Sequence, residues 1–237
     1  MTWETEAANW IAWTRKPGHD AYWSYRDAFF ELVPPPGRRT LELGCGEGRV
    51  CRDLAAHGHR VIGLDSAPTL LAAAREADPD GEYVLADAAA APFGDGEFDL
   101  VVAYNSLMDI DDMPGAVREA ARVLEPGGRF CVSVTHPTMD AGRFESRAPD
   151  APFSITGSYF GRRKFEATFA RAGLEVTFRG WCYPLEDYAR ALEDAGFVIE
   201  ALREPRDPGE DPRHARIPMF LWLRAFKVNR AVSDTLQ

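Results

Sequence analysis

Short apolar runs alternate along this chain with stretches whose apolar residues recur every three to four positions, and that rhythm predicts most of the architecture. Residues 39–43, 60–64, 83–86, 98–103 and 129–135 read as strands. Residues 48–57, 67–76 and 113–124 carry the helical period between them, and Glu125-Pro126-Gly127-Gly128 supplies a stop signal after the last. Strands and helices in this alternation predict an α/β, doubly wound, mostly parallel sheet with helices on both faces. A helix over 184–195, a strand over 197–202 and a dense apolar strand over 218–227 complete the pattern.

The flanks depart from the rhythm. Residues 3–33 carry Trp3, Trp10, Trp13, Tyr22, Trp23, Tyr25, Phe29 and Phe30 at spacings that suit two amphipathic helices broken at Pro17-Gly18. Such aromatics serve as core or as a cover over a site. Pro34-Pro35-Pro36-Gly37 then forms a stiff linker, so residues 1–38 read as an N-terminal helical cap and 39–237 as the core domain. Within the core, 137–183 reads as an insertion over the site, with one strand expected at 174–178.

The chemistry gathers where strands end. Gly44-Cys45-Gly46-Glu47-Gly48 lies between the first strand and its helix, where glycines bring main-chain N–H groups close to a ligand. A dinucleotide fingerprint places its third glycine where this chain has Arg49, and the spacing here suits a ligand without a pyrophosphate. Asp65 ends the second strand, at the distance where an acid grips ribose hydroxyls, or else caps the next helix with Ser66. Asp87 ends the third strand, where it accepts from a purine amine beside the Ala88 N–H, or again acts as a cap. Asn105 and His136 end the fourth and fifth strands. An imidazole titrates near neutrality, so His136 is the leading candidate base, with a structural hydrogen bond as its alternative. Tyr22 and Tyr25 are candidate acceptor-orienting groups, as are Tyr159 and Tyr183.

Taken together, LELGCGEG, GLDSAPTLLAAAREA, LADAAAAPF, FDLVVAYNSL and ARVLEPGGRF resemble the successive motifs of class I S-adenosylmethionine-dependent methyltransferases, in the bacterial small-molecule group akin to quinone-biosynthesis enzymes. The resemblance spans residues 39–135. It implies a Rossmann-like seven-stranded sheet of order 3-2-1-4-5-7-6 and S-adenosyl-L-methionine as cofactor. It also implies that Gly44, Gly46 and Glu42, with Cys45 between the glycines, position the methionine part. By the same token Asp65 and neighbouring Ser66 hold the ribose, Asp87 and Ala88 the adenine, and Asn105 the sulfonium end. A nicotinamide-dependent oxidoreductase and a non-catalytic S-adenosylmethionine-binding protein are the alternatives.

Composition narrows the partners. A formal net charge of -10 disfavours nucleic acid, and the abundant aromatics of both flanks favour a flat small-molecule acceptor, indole-like among others, methylated on N, O or C. The four cysteines show no zinc spacing, so no metal is expected. The N-terminal residues resemble no signal peptide and no apolar run is long enough to span a bilayer, which predicts a cytoplasmic protein with no membrane partner. The oligomeric state is not legible.

Overall fold

The computed structural model describes residues 3–228 apart from 208 and 210. In chain order it has α1 (Ala7–Thr14), α2 (Tyr22–Phe30), β1 (Thr40–Leu43), α3 (Arg49–Ala56), β2 (Val61–Asp65), α4 (Pro68–Ala77), β3 (Glu82–Leu85), β4 (Phe98–Tyr104), α5 (Met113–Val123) and β5 (Leu124–Thr135). There follow α6 (Pro137–Ala141), β6 (Gly142–Phe144), β7 (Phe153–Ile155), β8 (Arg163–Arg171), β9 (Leu174–Cys182), α7 (Leu185–Asp194), β10 (Phe197–Arg203) and β11 (Phe220–Lys227).

Seven strands form one sheet in the order β3-β2-β1-β4-β5-β11-β10. Pairs among β1 to β5 are parallel, and β11 inserts antiparallel between β5 and β10. With β10 and β11 counted as its sixth and seventh strands, the order is the expected 3-2-1-4-5-7-6.

Both faces are dry because successive side chains of a strand point to opposite sides. Val101, Ala103, Phe130, Val132, Leu221 and Leu223 pack on one face beneath α5 and α7. The intervening Leu100, Val102, Tyr104, Cys131 and Trp222 pack on the other with Tyr22, Tyr25 and Phe29 of α2 and Val50 and Leu54 of α3. The N-terminal aromatics thus divide their work. Those of α2 are core, while Trp3 and Trp10 lie farther out with Ile11.

Two expectations are corrected. α5 ends at Val123, just before the expected Glu125-Pro126-Gly127-Gly128 stop, but β5 begins at Leu124 rather than at residue 129, and the irregular stretch is absorbed where the β4–β5 register shifts between Phe98 and Leu100. Residues 137–183 hold more than the single short strand expected. They form α6 and two hairpins, β6–β7 and β8–β9, the latter paired from Arg163↔Cys182 to Arg171↔Leu174.

That second hairpin and the N-terminal segment make one roof. α1 packs on β9 and α4. Trp3, Trp10 and Phe178 meet with ring centroids 5.3 to 6.0 Å apart. Arg179 Nη1 donates to Glu6 Oε1 at 2.9 Å, and Arg171 Nη1 to the His19 carbonyl at 2.5 Å. Among the described residues, no helix is long and apolar enough to cross a membrane.

Candidate functional site

The ends of β1, β2 and β4 are stitched together before any ligand is considered. Asp65 Oδ2 accepts from the Gly46 N–H at 2.8 Å and Oδ1 from the Ala67 N–H at 2.9 Å. Asp65 is therefore both the brace of the glycine turn and the N-terminal anchor of α4. Each oxygen retains a second lone pair for a ligand hydroxyl. Burial pushes its pKa up, while the N–H groups of Ala67, Gly46 and Ser66 pull it back. Ser66 itself is exposed.

Gly44, at φ +73°, needs its missing side chain: a Cβ there would lie 2.5 Å from Ser106 Cβ. Ser106 Oγ donates to the Leu43 carbonyl at 2.6 Å, closing β1 against β4. Its neighbour Asn105 adopts φ +52°, and Asn105 Oδ1 accepts from Ser133 Oγ at 2.7 Å. Sequence reasoning passed over Ser106. Its only signal is adjacency to Asn105.

Glu42 and Cys45 point beneath the turn rather than across it. Glu42 is 1% exposed and its Oε2 accepts from Cys51 Sγ at 2.8 Å. Burial raises the Glu42 pKa to about 8, and the Cys45 thiol is pushed by burial to about 11. Cys45 thus offers the rim its backbone, with its sulfur packed against Gly63 of β2. Glu47, equally buried, is held by Arg52 at 2.9 Å and Arg15 at 3.6 Å, which fixes the N-terminal segment to the turn.

Asp87 lies on the same rim, exposed, with Oδ1 accepting from the Ala89 N–H at 2.9 Å. The cap reading of Asp87 is thus realised, and its Oδ2 keeps no protein partner among the described residues. Ala88 is buried beside it.

These residues fit an adenosyl ligand. The glycine turn carries no side chain on its outer side, where the nearest group to a Cβ on Gly46 would be Trp10 Nε1 at 3.5 Å. Asp65 and Asp87 stand at adjacent strand ends.

Three of the residues expected to handle the acceptor, His136, Tyr22 and Tyr25, have other partners in the fold. His136 Nδ1 accepts from the Thr138 N–H at 3.1 Å as the N-cap of α6, which puts its proton on Nε2, 2.9 Å from Glu204 Oε1. Both ring nitrogens are engaged. Tyr22 lies in the α2 core layer, its hydroxyl donating to Asp53 and its ring 4.2 Å beneath the Arg49 guanidinium. Tyr25 is 2% exposed and packs edge-on against Phe220 and Trp222. The helical spacing that suggested a cover has turned both tyrosines into the sheet.

Two acids that sequence reasoning missed lie under the roof. Asp109, at the end of a 3-10 turn (Leu107–Asp109) after β4, accepts from Trp3 Nε1 at 3.0 Å. A Cβ on Gly180 of β9 would come within 2.6 Å of its Oδ1, so only glycine lets the hairpin close there. Asp140, on α6, has no hydrogen-bond partner for its carboxyl among the described residues. Burial raises Asp109 to about 8 and Asp140 to about 7. Both residues keep partial exposure. Among the described residues no group of three or more His, Cys, Asp or Glu is placed to hold a metal ion.

A family model described as a methyltransferase domain matches residues 41–132, from β1 into β5. Demethylmenaquinone methyltransferase of Beutenbergia cavernae is 34% identical over 190 residues, covering 76% of this chain and 73% of that protein. The 2-phytyl-1,4-naphtoquinone methyltransferase of Thermosynechococcus vestitus is 38% identical over 117 residues, covering 46% of this chain and 52% of the relative. The chain spans about half the length of several of the curated relatives it matches. Among solved structures, an S-adenosylmethionine dependent methyltransferase from Mesorhizobium loti superposes with a TM-score of 0.68 at 28% identity, covering 88% of this chain and 98% of the other.

Proposed function

The chain belongs to the S-adenosylmethionine-dependent methyltransferases, and from that premise we propose that it moves the methyl group to an N, O or C nucleophile of a small, flat acceptor held between the rim and the roof. The observation that carries this reading is the Asp65 carboxylate, clamped by two backbone N–H groups beside a glycine turn that bears no side chain at Gly44 or Gly46.

In this reading Asp65 receives the ribose hydroxyls, and Gly44, Cys45 and Gly46 present backbone to the methionine part. Glu42 acts from below the turn, Asp87 and Ala88 meet the adenine, and Asn105 faces the sulfonium. The cofactor supplies a methyl group on a good leaving group, so what the protein must add is alignment and removal of water. The roof does both. Trp3, Trp10 and Phe178 offer aromatic faces suited to a ring-shaped acceptor, indole-like among others. Relatives named for naphtoquinone and demethylmenaquinone acceptors support a flat ring.

His136, Tyr22 and Tyr25 take supporting places. A base must have a free lone pair, and the free one on His136 is already used by Thr138. The test is calorimetry with S-adenosylhomocysteine, followed by turnover of methyl-labelled cofactor against a panel of small aromatic metabolites. Micromolar binding with transfer to at least one ring compound is expected. Binding without transfer to any of them removes the acceptor class, and absence of binding removes the reading as a whole.

A further inference from the structure

Trp10 of α1 turns the nitrogen edge of its indole toward the glycine turn. Its Nε1 lies 3.5 Å from the point a Cβ on Gly46 would occupy, and apart from the chain neighbours of Gly46 no other atom of the described residues comes within 4 Å of that point. The carbons flanking Nε1 are farther away, so the ring meets the bare side of Gly46 at its N–H rather than across a face.

No protein group takes that proton. Among the described residues Trp10 Nε1 makes no hydrogen bond, whereas Trp3 Nε1 of the same segment donates to Asp109 and Trp181 Nε1 to Asp111. The indole nitrogens of Trp23 and Trp222 are also unpartnered but sealed inside, while that of half-buried Trp10 remains accessible.

The ring is held in this attitude from three sides. Trp3 leans on it at 5.3 Å, Phe178 of β9 meets it edge-on at 5.6 Å, and the Arg49 guanidinium lies 5.3 Å from its centroid. Arg49 is itself fixed, stacked 4.2 Å over Tyr22 and paired with Asp20 at 2.6 Å. A donor fixed in advance binds at a lower ordering cost than one on a free side chain.

An indole N–H gives a hydrogen bond and takes none. In the methionine part of S-adenosylmethionine, which the glycine turn is read to receive, the ammonium and sulfonium are cationic and the carboxylate alone accepts. The nearby charges favour that partner. Glu47 and Asp20 are held in ion pairs with Arg52, Arg15 and Arg49, while Asp65, which has no cation partner among the described residues, is the acid read for the ribose.

We propose that the Trp10 N–H donates to the carboxylate of the cofactor's methionine part, so that the amino-acid end of the cofactor fastens the roof over the rim. This rests on the cofactor reading above and adds a contact from outside residues 41–132, which the family model matches. Because Trp3 and Phe178 bear on the same ring, a ligand held at Nε1 steadies α1 and β9 together.

The test compares S-adenosylhomocysteine with S-adenosyl-3-thiopropylamine, which keeps its adenosine, sulfur and amine and lacks only the carboxylate. In calorimetry on the full chain the wild type should prefer S-adenosylhomocysteine by about tenfold or more, the size of a hydrogen bond to a charged group. Trp10→Phe keeps an aromatic ring and removes the N–H. It should weaken S-adenosylhomocysteine by about ten- to a hundredfold and leave the amine probe within about twofold of its wild-type affinity. Hydrogen exchange on the wild type gives a second reading that needs no variant: at equal saturation S-adenosylhomocysteine should slow exchange in α1 and β9 by about threefold more than the amine probe does. Equal weakening of both probes by Trp10→Phe, unchanged affinity for S-adenosylhomocysteine, or equal protection by the two ligands overturns the proposal and leaves the cofactor reading intact. Failure of S-adenosylhomocysteine to bind the wild type overturns both.

Discussion

Replacing Glu42 by glutamine should make the protein more stable as pH rises, which is the reverse of what loss of an ion pair does. The Glu42 carboxyl is sealed between β1 and α3 with a thiol as its hydrogen-bond donor, and its pKa moves from an ordinary 4.5 to about 8, chiefly because burial penalises the charge. Between those two values the unfolded chain is ionised at this position while the folded chain still holds the proton. Folding therefore takes up a proton, and stability falls as pH rises through that window. Each pH unit is worth about 1.4 kcal/mol, so the whole interval costs the wild type about 5 kcal/mol, a ceiling that structural relaxation will reduce. Glutamine keeps the shape and an acceptor oxygen for Cys51 but has nothing to ionise. Urea denaturation of both proteins without cofactor at pH 5, 6, 7 and 8 isolates the effect, because Asp65, Asp109 and Asp140, which burial also raises, contribute equally to both. The gap between the two should widen in favour of Glu42→Gln by about 2–4 kcal/mol from pH 5 to pH 8. Parallel curves across that range would mean that Glu42 is ionised in the fold, and the account of a dry pocket beneath the glycine turn would be wrong.

Other substitutions probe the rim directly. Asp65→Ala should abolish S-adenosylhomocysteine binding in calorimetry and cost about 1–3 kcal/mol for each N–H it orphans, and retained affinity would exclude the ribose role. Gly44→Ala forces a Cβ against Ser106 at a positive φ, so urea unfolding should show a loss of about 1–3 kcal/mol together with weakened cofactor binding. His136→Ala should lower stability by about 1–2 kcal/mol, through loss of the α6 cap and the Glu204 hydrogen bond, while leaving methyl transfer within a few-fold of wild type. A hundredfold drop in turnover at unchanged cofactor affinity would restore it as the base.

The sheet was legible because its strands are buried on both faces and its helices on one, so period and burial agree along residues 39–135. The meeting of the glycine turn with Asp65 was legible for a related reason: both are local features tied to fixed places in the fold. β8 was passed over although Phe165, Ala167 and Phe169 alternate with Lys164, Glu166 and Thr168, because Arg-Lys-Phe-Glu-Ala-Thr-Phe-Ala-Arg is short, highly charged and, paired with β9 alone, largely exposed. Asp109 reads as one of several loop acids in Met-Asp-Ile-Asp-Asp, and only the arrival of β9, some seventy residues later, buries it. Tyr22 and Tyr25 failed in the opposite direction, since nothing in an amphipathic helix says whether its aromatic stripe meets a ligand or the sheet.

The two halves of the roof are fastened to each other as well as to the floor, which Trp3 reaches at Asp109 and Arg15 at Glu47. Glu6 grips Arg179, the His19 carbonyl takes Arg171, and Trp3 and Trp10 enclose Phe178, so two pieces of chain more than 150 residues apart behave as one leaf. With the acceptor held under this roof, as proposed, altering acceptor preference should require matched changes in the N-terminal segment and in β9, and a library confined to one of them should mostly lose the contacts between them.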